Sequence, residues 1–107
     1  MIITTTQDVP SMEIVEYKGL ATGEVVAGIN FIKDIGAGLR NFFGGRSQGY
    51  EDEIIQARLQ ALKELEERAA AMGANAVIGI RIDFDGLGNN GSNMLLVTVT
   101  GTAVVVR

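Results

Sequence analysis

The residues with the best claim to chemistry are Gly44-Gly45-Arg46-Ser47, followed by Tyr50. Two glycines, a guanidinium and a hydroxyl stand there directly ahead of a helix-forming run. Free backbone N–H groups at a helix start, aided by the helix dipole, can hold a phosphate or a carboxylate. The stretch lacks the G-x-x-x-x-G-K-[ST] spacing that marks a phosphate loop. A plainer reading makes it a connection, with Arg46 paired to a neighbouring subunit's carboxylate and Ser47 helping to cap the helix. Both readings stand, since loops on a fixed scaffold often carry function.

A second candidate, Asp83-Phe84-Asp85-Gly86-Leu87-Gly88-Asn89-Asn90, matches part of a calcium loop. The full pattern needs oxygen ligands at its fifth and last positions, where this chain has Leu87 and Met94. A hairpin turn is the simpler expectation. Glu64, Glu66 and Glu67 could serve as acids, bases or hard-metal ligands, but they fall beside Arg68 on the polar face of an amphipathic helix, which reads as solvated. Tyr17 and Tyr50 have no neighbouring base in sequence, and a phenol in such places usually packs its ring. Lys18, Lys33 and Lys63 would need desolvation to form Schiff bases.

The chain has no histidine and no cysteine. Nucleophilic triads built around histidine are therefore excluded, as are disulfides and thiolate-bound metals. No metal site and no cofactor is expected.

With 9 basic and 13 acidic residues the net charge is −4, and no cationic stripe is present. Nucleic-acid binding rests mainly on phosphate neutralisation, so it is not expected here. Nor is binding through a polybasic patch to a membrane surface. The start, Met1-Ile2-Ile3-Thr4-Thr5-Thr6, lacks the cationic and apolar regions of a signal peptide, and no apolar run approaches the ~20 residues of a membrane span. A cytoplasmic location is the expectation.

These residues must be positioned by few elements. The 107 residues suit a single domain spanning 1–107, whose small core leaves self-association as the obvious way to bury more surface. A short strand is predicted over Ile2–Thr5, then a turn at Asp8-Val9-Pro10-Ser11. A long strand runs from Met12 to Ala27, with Val15, Tyr17, Ala21, Val25 and Ala27 on its expected buried face. Gly19 and Gly23 inside it predict a bend, a bulge or a closely packed neighbour. Phe31, Ile35, Leu39, Phe42 and Phe43 predict a short helix over 32–43.

The clearest element is a helix from Glu51 to Met72. Its apolar stripe is Ile55, Leu62, Leu65, Ala69 and Met72, broadened by Ile54, Leu59 and Ala61, and Gly73 follows it in the C′ role. Ala76–Asp85 predicts a strand with Ile78, Ile80, Ile82 and Phe84 on one face and Arg81, Asp83 and Asp85 on the other. A loop over 86–92 leads to the last strand, Met94–Val106, apolar on both faces. Such a strand needs cover on both sides, and a partner chain is the expected second cover. The order predicts an α+β fold, a small sheet with one long and one short helix packed on one face.

Several ordered segments along the chain belong together. They are Thr4-Thr5-Thr6, then Tyr17-Lys18-Gly19-Leu20-Ala21-Thr22-Gly23, then Phe43-Gly44-Gly45-Arg46-Ser47 with Tyr50. Gly73-Ala74-Asn75-Ala76-Val77-Ile78-Gly79 and Gly101-Thr102-Ala103-Val104 complete the set. In this order they resemble the YbjQ-like family, small bacterial and archaeal proteins often labelled "putative heavy-metal-binding". The resemblance implies a subunit of a ring-shaped homo-oligomer, dodecin-like or YbjQ-like in outline and most simply a homopentamer. It implies no activity. The leading expectation is a non-catalytic ring that binds a small ligand or a protein partner. A scaffolding module, a metal-binding module using oxygen ligands, and an enzyme follow in that order.

Overall fold

The computed structural model of the chain describes residues 1–27, 48–87 and 94–107. They form an α+β fold: β1 (Ile2–Ile3), β2 (Ile14–Ala27), α1 (Gln48–Ala71), β3 (Ala76–Leu87) and β4 (Met94–Val106). The strands make one sheet in the order β1-β3-β4-β2, with β1 parallel to β3 and the other pairs antiparallel. The predicted short helix over 32–43 lies outside the described residues, and among the described residues one helix, α1, packs on the sheet.

Helix α1 ends as its sequence dictates. Gly73 adopts φ +86°, a conformation that costs glycine little. Its N–H donates to Ala70 O at 3.0 Å and that of Ala74 to Ala69 O at 3.1 Å. This pairing of bonds is the Schellman arrangement, which satisfies the last carbonyls of a helix.

The core lies between α1 and the sheet. Ala57, Ala61, Leu65 and Ala69 of α1 meet Ala21, Val77, Ile80, Val97, Val99 and Ala103. Leu65, Val77, Val97, Val99 and Val104 are fully buried, each stabilising the fold by about 1.5–3 kcal/mol relative to exposure. Of the predicted stripe, Ala61, Leu65 and Ala69 are buried and Leu62 and Met72 pack against them, whereas Ile55 and Leu59 are exposed. Ala57, which periodicity does not single out, is buried in the first half of the helix.

Two strands also depart from simple alternation. In β2, register shifts fall between Ile14 and Glu16 and between Tyr17 and Gly19, and Gly19 takes φ +123°. Beyond these bulges Ala21 and Val25 face the core as expected. Ahead of them Val15 and Tyr17 are exposed, contrary to the predicted buried face. In β3 a shift between Ile78 and Arg81, at Gly79 with φ +61°, turns Ile78 away from the helix side. An inserted residue reverses every later side chain, so Ile78 does not share a face with Ile80 and Ile82.

Ile78 joins Ala76, Val104 and Val106 in a second cluster on the other side of the sheet, packed by Val9 and Ile14. The chain's own N-terminal stretch therefore covers part of β4's second apolar face, a role that sequence analysis gave to a partner chain. That stretch is tied down by backbone bonds: Thr4 N–H to Val77 O at 2.9 Å, Gly79 N–H to Thr6 O at 2.7 Å and Met12 N–H to Val9 O at 3.1 Å. The last of these closes the predicted turn around Pro10, where Ser11 takes φ 67°.

Candidate functional site

Of the predicted anion-binding residues, Gly44, Gly45, Arg46 and Ser47 lie outside the described residues, and Tyr50 falls in the first turn of α1. The calcium-loop candidate resolves differently. Asp83, Phe84, Asp85, Gly86 and Leu87 belong to β3, paired with β4 as far as Leu87 opposite Met94. The strand runs past the predicted boundary because pairing continues through Gly86, so the described part of that motif is ladder rather than ion-binding loop.

The polar face of α1 has a structural task. β2 is the outer strand of the sheet, and an outer strand presents unpaired backbone groups. Arg68 Nη1 donates to Thr22 O at 3.1 Å, to Thr22 Oγ1 at 3.2 Å and to Glu24 Oε2 at 2.6 Å. Glu64 Oε2 accepts the Glu24 backbone N–H at 3.4 Å and lies 3.8 Å from Arg68 Nη2. Two helical side chains four residues apart thereby occupy the middle of the β2 edge. The Arg68 hydrogen bond holds the Glu24 carboxyl below its ordinary value, opposed by desolvation and helped by the guanidinium charge and by Thr22. The sequence sets Glu64 beside Arg68 on one polar face but carries no signal for Glu24 and Thr22, which are distant in the chain.

Asn75 makes a second edge-like contact. Its Nδ2 donates to Val106 O at 2.9 Å, and its Oδ1 accepts the Val106 N–H at 2.8 Å. The side chain thus reproduces a backbone pairing at the end of β4.

Among the described residues, exposed apolar side chains stand on both sides of the sheet. Along β2 stand Val15, Tyr17 (68 % exposed), Leu20 (71 %) and Val26. Leu20 pairs with Thr102 and Val26 with Leu96, so both sit on the sheet face away from α1. On the helix side, Phe84 pairs with the fully buried Val97 yet is itself 43 % exposed. Ile55 and Leu59 are exposed on α1. At about 100° per residue, Leu59 stands on the opposite side of the helix from Arg68, and Arg68 marks the β2 edge.

Comparison with known proteins places the chain. A UPF0145 protein of Listeria ivanovii is 62 % identical over 107 residues, covering 100 % of this chain and 96 % of the relative. UPF0145 proteins of Listeria monocytogenes serotype 4a and Listeria welshimeri are each 61 % identical with the same coverage. A crystal structure from Pediococcus pentosaceus, of a protein of unknown function in the DUF74 family, superposes with a TM-score of 0.71. The match covers 100 % of this chain and 98 % of that one at 18 % identity, and so bears on the fold alone. The family model YbjQ_1, described as "Putative heavy-metal-binding", matches residues 1–107, and the chain belongs to that family.

Proposed function

We propose that this chain is the subunit of a ring-shaped homo-oligomer, a homopentamer, which works in the cytoplasm without catalysing a reaction. The ring binds a small ligand or a protein partner at its subunit interfaces or central channel. The observation that carries this reading is the pair of exposed apolar patches on opposite flanks, Tyr17, Leu20 and Val26 on one and Ile55, Leu59 and Phe84 on the other. A two-fold dimer needs one self-complementary patch, whereas a head-to-tail contact needs two different ones and generates a ring when the rotation closes. Exposed apolar clusters rimmed by polar residues mark association surfaces. The small core of a domain this size supports the same reading.

Native mass spectrometry of protein purified without chelator tests both parts, since it reads assembly mass and bound mass together. A ring carrying a discrete extra mass supports ligand binding. A bare ring favours a scaffolding role, and a monomer sinks the proposal. Arg46→Ala then tests the glycine loop: loss of the extra mass with the ring intact supports anion binding there, and loss of the ring makes the loop an interface.

A further inference from the structure

We infer that this chain forms no heavy-metal site, so that the family's description does not extend to it. Zinc, cadmium, mercury and copper ions are held in proteins chiefly by thiolate and imidazole, with carboxylates as the harder supplement. The chain contains neither cysteine nor histidine, so both of the favoured donors are missing along its whole length.

The remaining donors do not replace them. Thioethers are neutral and attract only the softest ions. Met72 is packed at the edge of the main core, with its Cε within 3.5 Å of where a side chain on Gly19 would begin. Among the described residues no three carboxylates converge as a cation would require. Several are already matched by protein charge. Glu24 is bound by Arg68 at 2.6 Å, Glu16 by Lys18 at 2.6 Å, and Glu64 lies between Arg68 and the Glu24 N–H. A metal ion entering there would have to displace a cation that the fold itself supplies, with oxygen donors alone.

The test uses the full-length assembled protein, purified without chelator and without an affinity tag that binds metal. Elemental analysis, equilibrium dialysis against zinc and cadmium salts, and thermal unfolding with and without each salt are the readouts. The expected result is metal far below one ion per chain and an unchanged Tm. One ion per chain that survives dialysis and is removed by chelator, together with a Tm that climbs with metal concentration as linkage demands, would overturn the inference. This outcome is independent of the ring, because assembly is read separately by mass.

Discussion

Gly23 lies directly beneath the backbone of α1: a Cβ built on it would overlap the carbonyl oxygen of Ala61 and stand 2.9 Å from Leu65 N. The helix is seated by this contact. Small residues on both partners, Gly23 and Ala21 from β2 and Ala57, Ala61 and Ala69 from α1, let the two backbones approach. The same approach brings Glu64 and Arg68 within reach of the β2 edge.

Replacement of Gly23 by alanine should therefore cost about 3 kcal/mol, the upper end for overpacking, because the obstruction is backbone. Gly86 provides the control, since nothing lies within 4 Å of a Cβ built there. Gly86→Ala should be neutral or stabilise by about 0.5 kcal/mol through the unfolded chain. Urea unfolding of both variants measures the difference. Equal stabilities would mean that the helix is not seated on Gly23.

Much of this was legible in the sequence. Glycines in the middle of a β-rich run predicted bulges or close packing, and Gly19 and Gly23 supply one of each. The end of α1 at Gly73 and the bounds of β4 were also readable. What periodicity could not reveal is where a strand changes phase. The shift at Gly79 moves Ile78 to the other face. In the first half of α1 the buried residue is Ala57 rather than Ile55 or Leu59, which periodicity misses because alanine carries a weaker hydrophobic signal. Contacts such as Arg68 to Thr22 join residues 46 positions apart, beyond any local pattern.

Asn75 should matter more than an exposed residue before a strand usually does. Asn75→Ala removes both side-chain hydrogen bonds to Val106, at about 0.5–1.5 kcal/mol each. Asn75→Asp keeps the acceptor for the Val106 N–H but sets a carboxylate against the Val106 carbonyl, so it should recover only part of the loss. Amide exchange at Val106 should quicken in Asn75→Ala and less in Asn75→Asp, while that at Val99, in the sheet centre, changes little. Unchanged exchange at Val106 would show that the ladder holds β4 without Asn75.

The Arg68–Glu24 contact should make stability depend on pH in a definite direction. Glu24's carboxyl is held below the usual range in the fold, first by the Arg68 hydrogen bond. A depressed folded value means that its stabilisation is present above the unfolded carboxylate range and is lost as pH falls through the folded value. The Tm advantage of the native chain over Glu24→Gln should thus be largest near neutrality and shrink in acid. Both groups are exposed, so the advantage should be small and should also fall with added salt. An advantage that grows on acidification would contradict the assignment.

The proposed head-to-tail arrangement makes a prediction that a symmetric dimer does not. Leu20 and Leu59 are 71 % and 50 % exposed, so Leu20→Lys and Leu59→Lys should leave the fold intact by circular dichroism. Each should nevertheless break the ring, because a head-to-tail joint needs both flanks. The Leu20→Lys protein retains an intact α1–β3 flank, and the Leu59→Lys protein retains an intact β2 flank. Mixed together, they can form one native joint per pair, and the second joint would set lysine against lysine, so the chain does not continue. Native mass spectrometry should then show a one-to-one heterodimer from two species that are monomeric alone. If the patches served a two-fold contact, only one substitution would disrupt assembly and mixing would restore nothing. Full-sized rings from both variants would place the interface elsewhere on the subunit.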